Sequence, residues 1–352
     1  MPYELNDKIK NLVPYTPDTN KYRIRLDANE SFITPDLEIW QQILNAVSSV
    51  AINRYPDPFS TDLCQAFADY YCLNSGNVTA ANGSDELLFV ISCCFANSGD
   101  VIMNAAPDFS MYDFYAHLAE CKVVSYKKNH DFEINVDDII KQCNDCNAKI
   151  LIFSNPCNPT SQGLSPSEMI KIIKNVNALV VADEAYMDFD DNSILQSANK
   201  FDNLIVLRTC SKMIGLAAAR VGFAVAGEKI TAAIRACKSP YNVNSFSQTI
   251  ATTVLKNKTY LDSCRAKIIA TRNSLFDSVK TLCEEAGWTL YPARGNFLFV
   301  KPTDSKAVFE FLKNDGILIR NMDGYLRITV GNELENAELT GALKQYIAGG
   351  AL

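Results

Sequence analysis

Histidine is almost absent from this chain: His117 and His130 are the only two in 352 residues. A metal centre built on several imidazoles is thereby excluded, and a catalytic histidine would have to be one of these two. Long apolar runs are missing too. Leu87–Ala96 is mostly apolar but about half the length that a membrane-spanning helix needs. There is no excess of positive charge, since 33 Lys and Arg face 40 Asp and Glu for a net charge of −7. That balance argues against nucleic acid or an anionic membrane surface as a partner. The opening segment MPYELNDKIKNLVPYTP has no apolar core of signal-peptide length. No internal repeat or low-complexity tract occurs, and no GxGxxG follows a strand-like run, which disfavours a nicotinamide dehydrogenase.

Cysteine, by contrast, is plentiful, with twelve residues. Without a secretion signal they read as free thiols of a reducing, cytoplasmic compartment. Cys143 and Cys146 form a lone CxxC at the end of a helical pattern, VDDIIKQC. Zinc would need a second ligand pair, and a thioredoxin-like site would want the motif just after a strand, so ordinary thiols are expected and no metal.

The length fits roughly two domains. Helical spacing marks residues 61–72, 84–95, 110–120, 136–144 and 166–175. Between and after them lie short apolar runs rich in Val and Ile: 101–104, 122–126, 149–154, 178–182, 204–209 and 221–226. Such runs are buried strands of a helix-covered, mainly parallel sheet, so an α/β, doubly wound domain is expected. Past Pro240 the pattern becomes α+β, with helical residues 246–286, strand-like 296–300, 317–320 and 325–330, and helices at 305–314 and the end. The expected organisation is an N-terminal arm (1–45) packing with the small domain, a large domain (46–242) and a small C-terminal domain (243–352).

In open parallel sheets, ligands bind outside the carboxyl ends of the strands. The polar residues there are the loop 154–160 (SNPCNPT), Asp183 to Tyr186 (DEAY) and Thr209 to Lys212 (TCSK). A lysine beside small hydroxyl residues can act as a Schiff-base amine, although a single loop lysine is ordinarily a surface residue. Asp183 ends the apolar run LVVAD, where burial would require a partner such as a cationic ring nitrogen. A helix cap is the alternative. Arg220 lies in the otherwise apolar GLAAARVGFAVAG and needs an anion, either a phosphate or a carboxylate. Together these parts describe a pyridoxal 5'-phosphate site. Its aldehyde takes an amine, its ring nitrogen a carboxylate, and its phosphate hydroxyls and a guanidinium.

The strings RYPDP, NGSDEL, NPCNPT, VVADEAYMDF, LRTCSKMIGLAAARVGF, PYNVN and YLRITVG, in this order, resemble the histidinol-phosphate aminotransferase family of fold-type I pyridoxal-phosphate enzymes. The resemblance runs from LDANES (26–31) to ITVGNELEN (328–336). It implies Lys212 as the Schiff-base lysine and proton shuttle, Asp183 as the ring-nitrogen carboxylate, and Tyr186 and Asn158 as partners of the cofactor's 3′ oxygen. Ser84, Asp85, Thr209, Ser211 and Arg220 would form the phosphate cup, and Phe109 would stack on the pyridine ring. Tyr55 would reach the phosphate site of a second subunit, which implies a homodimer. Arg320 and Arg327 match the family's substrate arginines, with Tyr15 and Asn29 closing the pocket.

The reaction implied converts histidinol phosphate and 2-oxoglutarate to imidazole-acetol phosphate and glutamate, in histidine biosynthesis. A threonine-phosphate decarboxylase-like enzyme and an aromatic aminotransferase are the alternatives, and a non-catalytic α/β binding protein is a remote one. Three departures bear on the substrate. The usual NPNNPTG reads NPCNPTS here, with Cys157 and Ser161 in the changed places. GLAAAR stands for GLAGLR, and the arm has LDANESFITP instead of an NENPYG-like turn. Ser161 in place of glycine carries little weight if the backbone there avoids positive φ.

Overall fold

The structure is a computed structural model that describes residues 2–14 and 16–349. Its strands in chain order begin with β1 (Ile24–Arg25), β2 (Val78–Ala81), β3 (Val101–Ala106), β4 (Lys122–Lys127), β5 (Ala148–Ser154) and β6 (Leu179–Asp183). They continue with β7 (Leu204–Thr209), β8 (Gly222–Ala226), β9 (Thr289–Leu290), β10 (Phe297–Lys301), β11 (Ile317–Leu318), β12 (Arg320–Asn321) and β13 (Leu326–Thr329). Seven of them form one sheet in the order β2-β8-β7-β6-β5-β3-β4. Strand β8 pairs antiparallel with both of its neighbours, and the other pairings are parallel.

The central strands are apolar on both sides because both faces are covered. Along β5, Leu151 and Phe153 join one core while Ile150 and Ile152 join the other. The same alternation places Val180 and Ala182 of β6 opposite Val181, and Leu204 and Val206 of β7 opposite Ile205 and Leu207. Each such side chain taken fully out of water contributes roughly 1.5–3 kcal/mol. The expected doubly wound architecture is present.

A second core gathers around the antiparallel sheet β12-β13-β10-β9, with Leu298, Val300, Leu326 and Ile328 at its centre. Strand β1 runs parallel to β11, and Ile24 and Leu26 join this core. Further along, Ile39 and Ile43 of the helix Leu37–Ser48 pack into the large core instead. Helix Ser245–Leu255 also contributes Ala251, Val254 and Leu255 to the large core. The long helix Lys258–Ala286 spans both cores, with Leu261 and Ile268 in the first and Leu275 and Val279 in the second.

Local chemistry sets the element ends. Helix Pro166–Asn175 begins with a capping box of Ser165 and Glu168 and a proline in its first turn, where a missing N–H costs nothing. Helix Ser84–Cys94 is different. Its N-cap is Gly83 at φ +82°, and no side chain caps its first amides. The helix start adjoins Gly222, which pairs with Thr209 at the end of β7. Among the described residues no helix is long and apolar enough to cross a membrane, and all twelve cysteines are free.

Candidate active site

Strand register lines up the polar residues at the sheet edge. Ser154 pairs with Asp183, Asp183 with Leu207, Thr209 with Gly222, and Gly222 with Ala81. The loops leaving these positions therefore meet over one edge, as open parallel sheets require of their ligand sites.

Asp183 is buried at the end of β6. Its carboxylate accepts hydrogen bonds from Tyr112 Oη at 2.9 Å and from the Ala185 amide at 3.1 Å. Burial outweighs both and pushes the carboxyl up to about 6. A buried carboxylate held in that way favours a cationic partner.

Lys212, half-buried in the loop between β7 and β8, donates from Nζ to the Ala28 carbonyl at 3.1 Å. Its ammonium stands 5.5 Å from the Tyr186 ring centre. The Tyr186 hydroxyl accepts from Asn29 Nδ2 at 3.0 Å. Asn29 is fully buried at φ +53°, and its amide and side chain both contact Thr329 Oγ1, at 2.9 and 3.1 Å. Arg327 donates to Asn158 Oδ1 and to the Asp27 carbonyl, each at 2.6 Å. Lys212, Tyr186, Asn158, Asn29 and Arg327 are thus one linked group, with the segment Asp27–Asn29 threaded between the two cores.

A third group surrounds the start of helix Ser84–Cys94. Thr209 Oγ1 accepts from the Ser211 amide at 3.1 Å, and Arg220 donates to Ser211 Oγ at 3.3 Å. Arg220 also pairs with Asp85 at 3.0 Å, so the carboxylate alternative for this arginine is realised, with both side chains over 40% exposed. Two glycines keep the space open. A Cβ on Gly83 would lie 2.7 Å from Arg220 Nη2, and one on Gly222 would lie 2.3 Å from the Ser84 amide nitrogen.

A family model described as aminotransferase class I and II matches residues 23–344. The chain belongs to the class I and II aminotransferases. The histidinol-phosphate aminotransferase of Clostridium novyi (strain NT) is 39% identical over 341 residues, covering 96% of this chain and 95% of the relative. That of Thermoanaerobacter sp. (strain X514) is 37% identical, covering 97% and 98%. Among solved structures, histidinol-phosphate aminotransferase from Sinorhizobium meliloti, in complex with pyridoxal-5'-phosphate, has a TM-score of 0.89 at 22% identity, covering 98% of each chain. L-threonine-O-3-phosphate decarboxylase from Porphyromonas gingivalis reaches 0.78 at 19% identity, covering 92% of this chain and 99% of that one. At such identities these two speak for the fold alone.

Of the other expected residues of this aminotransferase with a described position, two adjoin these groups and one does not. Phe109 is half-buried and packs edge-on against Tyr112, with ring centres 5.7 Å apart. Arg320 is exposed on β12, directly across the ladder from Arg327. Tyr55 is 82% exposed and stacks on Tyr241 at 4.6 Å. Tyr15 lies outside the described residues.

The condition under which Ser161 would carry little weight is not met. Ser161 does adopt positive φ, at +62°. Its hydroxyl accepts from the amides of Arg294 (2.6 Å) and Gly295 (3.0 Å), two hydrogen bonds that a glycine could not accept and that offset the left-handed backbone.

Sequence reasoning also missed two supports of this aminotransferase's site. Tyr112 sits one turn beyond Phe109 and was legible only as an apolar helix position. Asp108 is a buried hub: it accepts from the Ser154 amide at 3.1 Å, the Phe109 amide at 2.8 Å and the Ser154 hydroxyl. Ser154 Oγ in turn accepts from the Asn158 amide at 3.0 Å. Asp108 thereby fixes both Phe109 and Asn158.

Proposed function

We propose that this aminotransferase uses pyridoxal 5'-phosphate to exchange an amino group between histidinol phosphate and 2-oxoglutarate, yielding imidazole-acetol phosphate and glutamate in histidine biosynthesis. The observation that carries the substrate is the near-full-length identity, up to 39%, to relatives of that name.

The residues present fit the cofactor. Asp183 offers a buried carboxylate in want of a cation. The uncapped amides of Ser84 and Asp85, with Ser211, Thr209 and Arg220, suit a phosphate at a helix N-terminus, in space that Gly83 and Gly222 keep clear. When bound, the cofactor supplies an aldehyde for amines and a ring that takes up electrons. Asp183 Oδ holds the proton on the ring nitrogen. Asn158 and Tyr186 would hold the ring through hydrogen bonds to its 3′ oxygen, and Phe109 would pack against it. Lys212 Nζ, beside Tyr186, is the amine that would hold the cofactor and would move a proton at the substrate's α-carbon. Arg327, with Arg320 across the ladder and Asn29 nearby, receives the carboxylate of one substrate and the phosphate of the other. Tyr15 belongs to the same pocket in this reading.

We also read the chain as a cytoplasmic homodimer in which Tyr55 reaches the partner's phosphate site. Exposed Tyr55, Phe59 and Phe246 supply apolar surface for such a contact. Residues 46–242 form the large domain in this reading and 243–352 the small one, with the arm 1–45 joined to it. The cores qualify that division at Ile39, Ile43 and helix Ser245–Leu255.

The test mixes the cofactor-loaded protein separately with histidinol phosphate, threonine phosphate, tyrosine and glutamate. Loss of the visible absorption with histidinol phosphate and with glutamate is the expected result. No response to histidinol phosphate overturns the substrate, and carbon dioxide release from threonine phosphate would make the protein a decarboxylase. Borohydride should fix the cofactor to the Lys212 peptide.

A further inference from the structure

Cys157, the residue that replaces the usual second asparagine of NPNNPTG, has a buried partner. Lys128 Nζ donates to Cys157 Sγ at 3.1 Å and to the Pro107 carbonyl at 2.9 Å, and stands 3.6 Å from Asp108 Oδ2. The lysine side chain is only 2% exposed. The Cys157 thiol donates to the same Pro107 carbonyl at 3.4 Å. Both Lys128 and Cys157 line a cavity of about 220 Å³, together with Glu133, Gln162 and Arg294. A nucleophilic sulfur and an amine nitrogen thus face each other across one hydrogen bond, beside space for a small reagent. Neither is a residue of the proposed chemistry.

We propose that Lys128 and Cys157 form an oxidative modification site, in which a peroxide joins them through a covalent S–O–N bridge. In the first step the sulfur attacks hydrogen peroxide, the O–O bond breaks, and a sulfenic acid and water result. In the second, Lys128 gives up one proton to solvent. An N–O bond then forms as one N–H and the sulfenic O–H break. The two hydrogens and two electrons released reduce a second peroxide to two waters. The sulfur and the nitrogen are each oxidised by two electrons, and two peroxides are reduced.

The consequence is electrostatic. Burial opposes the Lys128 charge, but Cys157 and Asp108 more than compensate and hold its ammonium above the ordinary lysine range. Bridging converts that ammonium to a neutral nitrogen. Asp108, whose carboxyl burial already raises despite Lys128, then loses its only cation within 4 Å among the described residues. Since Asp108 fixes Phe109 and, through Ser154, Asn158, oxidation at one pair loosens two residues that face the cofactor.

The experiment treats the cofactor-loaded protein with hydrogen peroxide and follows intact mass, digested peptides, activity and pyridoxal-phosphate affinity. The expected product gains one oxygen and loses two hydrogens, and its digest contains a Lys128 peptide linked to a Cys157 peptide. Activity and affinity fall several-fold with bridging and return when a thiol reductant opens the bridge. Cys157→Asn and Cys157→Ala form no bridge and keep the activity that each had before treatment. The proposal is overturned if Cys157 reaches sulfinic or sulfonic acid beside an unmodified Lys128. It also falls if the wild type and both variants lose activity in parallel. The functional consequence rests on the cofactor reading, whereas the bridge does not. A protein that bridges but never bound pyridoxal phosphate would sink that reading and leave the modification site standing.

Discussion

Asp183 sets the pH response at the scale of single residues. Its carboxyl lies near 6 in the folded chain, above the ordinary aspartate value. A raised folded value stabilises the fold at low pH, and this contribution is lost as pH rises from about 4 through 6. The difference is on the order of 3 kcal/mol. Without cofactor, stability should therefore fall across that window, as denaturant titrations at several pH values would show. Pyridoxal-phosphate affinity should rise over the same range, because the ionised carboxylate is the form that pairs with a protonated ring. Tyr112→Phe removes the hydrogen bond that favours the ionised form, so the affinity midpoint should move to higher pH, with a cost of about 1–2 kcal/mol in binding. Ser161 gives a second residue-scale test. Ser161→Gly loses both accepted hydrogen bonds but relieves the left-handed backbone, whereas Ser161→Ala loses them and keeps the strain. The alanine variant should be the less stable by about 1 kcal/mol in urea unfolding.

The proposed phosphate cup depends on how two elements meet. Gly222 opens β8 against the first amide of helix Ser84–Cys94, with no room for a methyl group between two backbones. Gly222→Ala should push the helix start away, costing about 1–3 kcal/mol of stability and weakening cofactor binding, measurable by thermal melts and equilibrium dialysis. Much of this level was legible in the sequence. The central strands β5, β6 and β7 announce themselves because burial on both faces makes them continuous apolar runs, and the polar residues just past their ends make up the candidate site. Strand β2 escaped notice because VTAA is short and half alanine, and helix Leu37–Ser48 because only Ile39 and Ile43 of its inner face are fully buried. The Asp108 hub was illegible for another reason. Its partners Lys128, just past β4, and Ser154, the last residue of β5, belong to separate strands, and only the order of strands in the sheet brings them together.

At the scale of the whole molecule, the expected dimer separates two kinds of residue. Tyr55 is 82% exposed, so Tyr55→Ala should change the stability of an isolated chain by less than about 0.5 kcal/mol. In the proposed dimer the same change should lower cofactor affinity, and sedimentation would show whether dimers persist. If affinity is untouched, the shared site is wrong. Both cores also depend on residues 24–29. Ile24 and Leu26 enter the small core while Asn29 bonds Tyr186 of the large core, so deletion of this segment should uncouple the two.

The reversed direction of β8 has a topological result of its own. Because β7 ends and β8 begins at the same edge, with Thr209 opposite Gly222, residues 210–221 form an excursion whose two feet are already fastened to each other. Lys212 and Arg220 ride on that one closed ring. A protease cut at the exposed Ala218 would leave each on its own anchored stub, a strand apart, and not adrift. New chain ends could be opened at that point without parting the amine from the guanidinium.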